Sequence, residues 1–325
     1  PGGRALRYQT EDTLQEYALV LQNIQKELLQ GTAPERIAVL FRTQTLARPL
    51  ISEFVRLQLP YTTRDHTQNV YDSMVAQDLM AYLRLSLGTG TRRDFLRIMN
   101  KPNRFISREA VQERATDFAK LRRYYRDRHG MDLILDRFVE DLKAIRALPT
   151  EAALIYICMR VGYLSYLEWY SQENHTGLEG VHAIIDALEL SARQEPNKQK
   201  WLQYAEHYGE ELQRSAAKNQ AEQGVRLMTY HGSKGLEFDV VHLIDVNEGI
   251  TPYTKAVTEA QIEEERRAFY VACTRAKREL HIYFTENRYA KKCSPSRFLL
   301  DGLAPPSKTK GWVHTLPEIF RRKRS

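Results

Sequence analysis

The sequence predicts an α/β protein in which a parallel sheet is flanked by helices. Three short apolar runs rich in β-branched residues support this prediction: Val225–Tyr230, Asp239–Val246 and Glu279–Phe284. Gly, Asn or charged residues bound each run, as expected for strands that are buried on both faces. Between the last two runs, the charged segment Ile262–Thr274 has the apolar spacing of an amphipathic helix. Strands that alternate with helices in this way are typical of parallel sheets.

The first 90 residues predict the same alternation. Residues 4–10 and Arg36–Phe41 have the composition of strands, and Arg36–Phe41 is the more apolar of the two. Gly31 lies where glycine commonly ends a helix. The apolar periodicity predicts helices over Glu11–Leu29, Gln44–Leu57 and Asp72–Leu87.

The middle of the chain, residues 108–222, is predicted to be almost wholly helical. It is rich in Leu, Ala, Glu, Arg and Tyr, with breaks at Gly130, Pro149 and Pro196. An aromatic run in this part has spacings of three, four and seven residues, which favour the core of a helical domain over base stacking. The run consists of Tyr156, Tyr163, Tyr166, Trp169 and Tyr170.

Charge and composition narrow the class of protein. With 325 residues and 42% hydrophobic content, the chain is long enough for two domains with their own cores. The chain has a net charge of +7, and residues 92–128 and 286–325 are its two basic zones, on an otherwise mildly acidic chain. These zones suit contact with a phosphate backbone, or they are solvated helix faces and a flexible basic tail.

Several classes of protein are disfavoured. Cys158, Cys273 and Cys293 are scattered, so neither a disulfide framework nor a CxxC metal site is expected. Scattered cysteines of this kind predict a protein of a reduced intracellular compartment. The chain has no apolar run long enough to span a membrane and no signal peptide. It starts with Pro-Gly-Gly and no Met, so we expect a piece of a longer protein.

Two motifs resemble those of superfamily 1 DNA helicases of the UvrD, Rep and PcrA type. The sequence TYHGSKGLEF at 229–238 is similar to their motif V. EERR at 264–267, followed by Tyr-Val and Thr-Arg-Ala up to 276, is similar to their motif VI. Phe-Arg-Thr at 41–43 resembles the end of their motif IV. The resemblance implies the second RecA-like motor domain, interrupted by a mostly helical insertion. It predicts motor-domain parts at 1–90 and 223–303, an insertion at 91–222 and a flexible basic tail at 304–325.

The resemblance also implies roles in binding ATP. Phe41 would lie against the adenine base, and Glu237 would accept a hydrogen bond from the ribose. Arg42 and Arg275 would bind the γ-phosphate as a pair of arginine fingers. Two alternatives stay open: Phe41 is an ordinary core residue, or Arg275 is a cation that favours the carboxyl end of a helix.

Three further residues would contact single-stranded DNA. The resemblance implies a phosphate contact for His231, and for Lys234 either a phosphate contact or coupling to the nucleotide cleft. Tyr253 occupies a place where relatives often carry His near DNA. In the insertion, Phe105-Ile106-Ser107 stands where the relatives have Gly-Ile-Gly.

Half of an ATP site is missing from the sequence. There is no G-x-x-x-x-G-K-[ST] phosphate loop, and no Asp-Glu pair follows an apolar strand to hold Mg²⁺. In the family both belong to the first motor domain. We therefore expect the C-terminal half of a 3′-to-5′ helicase that uses ATP with Mg²⁺ and is inactive alone. Its partners would be single-stranded DNA or a junction with duplex, and its own first motor domain, in the bacterial cytoplasm with the nucleoid.

Two other classes remain open from the sequence. One is a non-catalytic DNA-binding or adaptor module, although pure binding does not need a γ-phosphate sensor. The other is the motor half of a helicase–nuclease subunit, although no carboxylate-rich domain follows Leu300.

Overall fold

The computed structural model describes residues 4–43, 47–63, 69–111, 117–174, 178–218, 223–288 and 291–299. The chain divides into two compact units. The sheet unit comprises Pro1–Leu50, Phe54–His66 and Ser215–Ser325. The helical unit comprises Ile51–Glu53 and Thr67–Arg214.

The strands of the sheet unit are all parallel to their neighbours in the sheet. They are β1 Arg4–Thr10, β2 Ile37–Phe41, β3 Tyr61–Thr63, β4 Val225–Thr229, β5 Phe238–Leu243 and β6 Ala276–Thr285. Their order across the sheet is β1-β6-β5-β2-β4-β3. A small antiparallel hairpin, β7 Asn287–Arg288 with β8 Lys291–Lys292, follows β6. The prediction of a parallel α/β sheet with a helical insertion is confirmed.

Strand β2 lies at the centre of this sheet. All five of its residues are buried. Val39 is paired with Leu227 of β4 on one side and with His242 of β5 on the other. Because the strand has neighbours on both sides and helices cover parallel sheets, an unbroken apolar run suits it.

The α-helices of the described residues follow in chain order. They are α1 Thr13–Leu29, α2 Arg48–Arg56, α3 Met74–Leu87, α4 Arg92–Ile98, α5 Phe118–Tyr124, α6 Met131–Ala147, α7 Thr150–Tyr156, α8 Tyr163–Glu173, α9 Leu178–Gln194, α10 Lys198–Lys218 and α11 Glu259–Cys273. A short π-helix, Ile157–Val161, continues α7.

Local sequence signals determine where the helices of the sheet unit begin and end. The Asp12 side chain accepts a hydrogen bond from the backbone N–H of Gln15 at 2.7 Å and caps α1. Gly31, beyond the end of α1, has a φ of 88°, a left-handed conformation that glycine adopts without strain. Thr258 and Gln261 form a reciprocal capping box at the start of α11.

The helical unit starts earlier than the predicted residue 91. Helix α3 packs against α4 and α6, so its apolar face belongs to the core of the helical unit. Asp78 of α3 is fully buried and accepts hydrogen bonds from Lys101 at 2.7 Å and Tyr163 at 2.6 Å. These contacts join the chain on both sides of residue 91.

The aromatic run of the helical unit is only partly core. Tyr163 is fully buried, and its ring stacks on Tyr166 at a centroid distance of 5.9 Å. Trp169, however, is 56% exposed near the end of α8, so the core interpretation is wrong for this residue. The buried face of α8 is formed by Tyr163, Leu167 and Ser171, and Trp169 projects from the other side of the helix, which the spacing within the aromatic run alone could not reveal.

Phe105 departs from ordinary backbone geometry. It has a φ of 56°, in the left-handed region that glycine adopts without strain, and its side chain is 59% exposed. The turn therefore keeps a glycine-like conformation without a glycine, with an aromatic ring at the surface.

Two other predictions concern residues that the structure does not describe. The basic tail, residues 304–325, lies outside the described residues, as do residues 44–46 at the predicted start of α2. Among the helices that are described, none combines the length and the apolar character needed to cross a bilayer.

Candidate functional site

The predicted site residues of the sheet unit lie at two opposite edges of its sheet. The carboxyl edge contains the last residues of β2 and β4, where Phe41 is paired with Thr229. The amino edge contains the first residues of β5 and β6, where Phe238 is paired with Ala276. Since all strands run in the same direction, the six residues of β5 separate these edges by about 20 Å.

Arg42 leaves β2 at the carboxyl edge and forms a two-pronged ion pair with Glu265 of α11. Its Nε and Nη2 donate to the two carboxylate oxygens at 2.7 and 2.6 Å. The side chains are 18% and 10% exposed. Side-on pairing of this kind is the strongest geometry for an Arg–carboxylate contact.

Tyr253 contacts both Arg42 and Glu265 at the carboxyl edge. Its backbone N–H donates to Glu265 at 3.2 Å, and its ring centroid lies 5.3 Å from the Arg42 guanidinium carbon. The Lys255 ammonium lies 5.9 Å from the same ring. Two cations around one tyrosine ring give this edge a positive, partly aromatic surface.

His231 and Lys234 follow β4 and continue the carboxyl edge. Both side chains are exposed. The hydroxyl of buried Ser233 donates to the Tyr230 carbonyl at 2.6 Å and closes the 3-10 turn between them. The positive field of His231 reaches Glu265 and contributes to a lower pKa of that carboxyl group.

Arg42 and Glu265 stabilise each other in their charged forms. The hydrogen bond to Glu265 raises the pKa of Arg42, against the opposing effect of burial. Burial alone would raise the pKa of Glu265, but the hydrogen bonds from Arg42 and from the Tyr253 backbone lower it below its ordinary value.

Arg275 lies at the amino edge, directly after α11, and has different partners. Its guanidinium donates to the carbonyls of Val271 at 2.8 Å and Leu236 at 3.0 Å, and to the Thr274 hydroxyl at 3.0 Å. No carboxylate within the described part of the chain pairs with it. Its charge is therefore positioned but not neutralised.

Glu237 also lies at the amino edge, directly after Leu236, whose carbonyl accepts from Arg275. Its carboxylate pairs with Lys277 at 3.0 Å, and the two side chains are 57% and 56% exposed. Exposed ion pairs of this kind are weak, so the carboxylate can exchange its partner at little cost. The amino edge thus presents an accessible carboxylate next to a fixed cation.

The structure does not bring Arg42 and Arg275 together. Arg42 turns towards Glu265 and Tyr253 at the carboxyl edge, and Arg275 turns towards Leu236 at the amino edge. The expected pairing of both arginines on one phosphate stays a prediction, and in this structure their side chains have separate partners. It was inferred from motif resemblance alone, which carries no information on which edge of the sheet a residue occupies.

Phe41 has no ring face exposed in the structure. Its relative exposure is 0%, and its backbone carbonyl accepts a hydrogen bond from the Tyr230 N–H at 3.0 Å. Stacking on an adenine would require the ring to be uncovered, so the proposed adenine contact of Phe41 stays a prediction, and the core alternative fits the geometry.

Sequence reasoning missed two residues of the carboxyl edge, Glu265 and Lys255. Glu265 is the last carboxylate in a run of three, and the motif at 264–267 assigns it no role of its own. Periodicity held a signal: Glu265 lies four residues before buried Phe269, on the inward side of α11.

The two edges differ in the ligands they fit. A ribose and a phosphate suit the carboxylate and the fixed arginine of the amino edge. Among the described residues, no group of three His, Cys, Asp or Glu side chains has the geometry to hold a metal ion.

Several curated proteins are similar to this chain over most of its length. YjcD of Bacillus subtilis (strain 168), provisionally named an ATP-dependent DNA helicase, is 27% identical over 303 residues, which cover 89% of this chain and 39% of YjcD. DNA helicase II of Haemophilus influenzae is 27% identical over 320 residues, covering 90% of this chain and 43% of that protein. PcrA of Staphylococcus aureus, an ATP-dependent DNA helicase, is 27% identical over 317 residues, with the same coverage of 90% and 43%.

The chain spans about two fifths of the length of these relatives. The sequence profile of the UvrD-like helicase C-terminal domain matches residues 1–220 and 178–287, which together take in both compact units. The chain belongs to the UvrD-like helicase C-terminal domain family.

Proposed function

We propose that the intact protein is an ATP-dependent DNA helicase and that this chain is its second motor domain with the helical insertion. The proposal rests on family membership together with the two-edge geometry of the sheet unit. Relatives that are named DNA helicases are more than twice as long as the matched region. A phosphate loop and Mg²⁺ ligands would belong to a preceding motor domain.

The amino edge is the proposed nucleotide side. Arg275 would place an unneutralised guanidinium on the γ-phosphate, where negative charge develops during phosphoryl transfer. Glu237 would exchange Lys277 for a ribose hydroxyl. Because this edge supplies neither a phosphate loop nor Mg²⁺ ligands, the chain alone would not hydrolyse ATP.

The carboxyl edge is the proposed single-stranded DNA side. His231, Lys234 and Lys255 supply exposed cations for phosphates, and Tyr253 supplies a ring. We place Arg42 here rather than with Arg275, since its guanidinium lies against Tyr253. Motion between the two motor domains would move this grip along DNA, with the 3′-to-5′ direction taken from the family resemblance.

A helicase assay on the full-length gene product tests the proposal. We expect ATP hydrolysis that single-stranded DNA stimulates, and displacement of a strand from a duplex with a 3′ single-stranded tail. The matched control is a substrate with a 5′ tail only. A full-length protein that binds DNA but hydrolyses no ATP would contradict the motor function and favour an adaptor module.

Location of the protein with the bacterial nucleoid stays a prediction.

A further inference from the structure

We infer that Glu265 is a positioning residue that fixes Arg42 and the Tyr253 segment for nucleic-acid binding and links them, through α11, to Arg275. The inference rests on the proposed function, because it assigns Glu265 a task within the same motor domain. It adds a residue to which the sequence analysis gave no role.

One carboxylate organises three donors from two distant segments. Arg42 donates to both oxygens of Glu265, and the Tyr253 N–H shares the oxygen that Arg42 Nε uses. Glu265 is 223 residues from Arg42 along the chain, so the contact closes a long loop. Without Glu265, a largely buried guanidinium would lose its counter-charge, and the Tyr253 segment would lose one of its hydrogen bonds.

The pairing leaves part of the Arg42 fork available. A guanidinium has five N–H donors, and Glu265 takes one from Nε and one from Nη2. Among the described residues, none accepts a hydrogen bond from Nη1. Glu265 therefore holds the guanidinium by one side while the other side can bind a phosphate oxygen.

The burial of the pair supports a positioning task over a surface contact. The Glu265 side chain is 10% exposed and that of Arg42 is 18% exposed. The pair of Glu263 with Arg266 on the same helix is 49% and 40% exposed, and exposed pairs of this kind contribute little. Only the inner pair restricts a side chain that faces the proposed DNA side.

Helix α11 connects the two edges. Glu265 lies within the helix, near the carboxyl edge, and Arg275 follows its last residue at the amino edge. Phe269 and Ala272 of the same helix are buried in the core of the sheet unit. Helix α11 is therefore the element through which DNA binding at Arg42 would be linked to Arg275.

The test uses direct DNA binding and ATP hydrolysis by the full-length protein. Glu265→Gln keeps the size of the side chain and one acceptor but removes the charge. We expect the dissociation constant for a fluorescein-labelled oligothymidylate to rise about tenfold, since a hydrogen bond between charged groups is weakened. Half-maximal stimulation of ATP hydrolysis should need about tenfold more DNA.

A double-mutant comparison separates positioning from a general loss of structure. If Glu265 acts through Arg42, the double variant Glu265→Gln with Arg42→Ala should bind DNA no more weakly than Arg42→Ala alone. Glu263→Ala on the same helix is the control and should bind like the unchanged protein. Thermal unfolding midpoints for all variants identify any that fail to fold. Arg42→Lys tests the contact from its other side, because a lysine keeps the charge but cannot pair side-on.

Three results would overturn the inference. Unchanged DNA binding in Glu265→Gln would mean that Arg42 is not positioned by it, and losses that add in the double variant would mean that Glu265 acts elsewhere. Tighter DNA binding would mean that Glu265 masks Arg42. If the unchanged protein neither binds DNA nor hydrolyses ATP, the proposed function itself fails. If the unchanged protein does both and only the Glu265 variants behave differently from expectation, the inference about Glu265 fails alone.

Discussion

Arg42 and Arg275 illustrate how much the surroundings of a residue decide its chemistry. Arg42 is neutralised by a nearly buried carboxylate, whereas Arg275 is held by two carbonyls and a hydroxyl. A phosphate at Arg42 would meet a guanidinium whose charge Glu265 already balances and whose Nη1 side alone is open, whereas no carboxylate among the described residues balances Arg275. The two residues therefore suit different tasks, although both are arginines at the end of an element.

Glu237 provides a test of the nucleotide side at the level of one residue. In the full-length protein, Glu237→Ala should raise the KM for ATP about tenfold and leave kcat nearly unchanged, because a ribose contact is made equally in substrate and transition state. Steady-state ATP hydrolysis measures both constants. Asp239→Ala, which breaks the surface pair with Arg36 at the same edge, is the matched control. A fall in kcat without a change in KM would assign Glu237 to the chemical step instead.

Gly224 provides a test of the fold at the start of β4. A Cβ atom on Gly224 would lie 2.6 Å from the Cα and N atoms of Tyr61, in the backbone of β3. Backbone cannot yield as a flexible side chain can, so Gly224→Ala should lower the free energy of unfolding by about 1–3 kcal/mol. Urea denaturation measures the change. Gly209→Ala in α10, where the nearest atom is the end of the Asn69 side chain at 3.3 Å, should be neutral or stabilising.

At the scale of elements, β5 and β6 carry a buried polar stack. The rings of His242 and His281 lie 4.7 Å apart, and His242 accepts from or donates to the Tyr283 hydroxyl at 2.9 Å. Burial lowers the pKa of His242 well below its ordinary value, and His281 adds to this effect. Burial also lowers the pKa of His281, although its hydrogen bond to Glu279 opposes the shift.

This stack makes stability depend on pH in a defined direction. Both histidines bind protons more readily in the unfolded chain, so their contribution to stability is complete above about pH 6.5 and is lost as the pH falls below it. Between about pH 6.5 and 5.5, the free energy of unfolding should fall by about 1 kcal/mol through His242, and His281 should add to the fall in the same direction. Urea denaturation at several pH values measures the slope.

His242→Phe should reduce this pH dependence, because it removes one of the two groups that titrate. Exposed His129→Gln should leave the dependence unchanged and serves as the control. An equal slope in the unchanged protein and in His242→Phe would show that other groups cause the loss of stability.

The strands were the most predictable elements, for a physical reason. A buried parallel strand must be apolar on both faces, so Val225–Thr229 and Ile37–Phe41 are visible as short β-branched runs. Their order across the sheet was not predictable, because register depends on contacts between distant segments. For the same reason, the sequence could not place Arg42 and Arg275 at opposite edges.

The helices were less completely predicted. Apolar periodicity located α1, α3 and α11 to within a few residues, and capping residues marked their starts. The position of Glu265 followed from the same periodicity, yet its partner did not, since nothing in the local sequence points to Arg42. Trp169 fits a helical stripe by spacing, but the stripe that is covered in α8 is the one formed by Tyr163, Leu167 and Ser171.

At the scale of the whole molecule, one parallel sheet presents two different chemical edges. The amino edge offers a positioned cation and an accessible carboxylate, and the carboxyl edge offers cations and a tyrosine ring. Helix α11 runs between them. If the proposed function is correct, nucleotide and nucleic acid would bind the same domain without competing for the same residues.

The central claim is this separation, and a comparison of Arg275→Ala with Arg42→Ala in the full-length protein tests it most directly. ATP turnover and the dissociation constant for a labelled oligothymidylate are measured for each. We predict that Arg275→Ala lowers turnover by about 10³-fold and leaves DNA affinity nearly intact. Arg42→Ala should weaken DNA binding about tenfold with turnover without DNA nearly unchanged. If Arg42→Ala abolishes turnover and leaves DNA affinity intact, both arginines serve the nucleotide and the separation of the edges is contradicted.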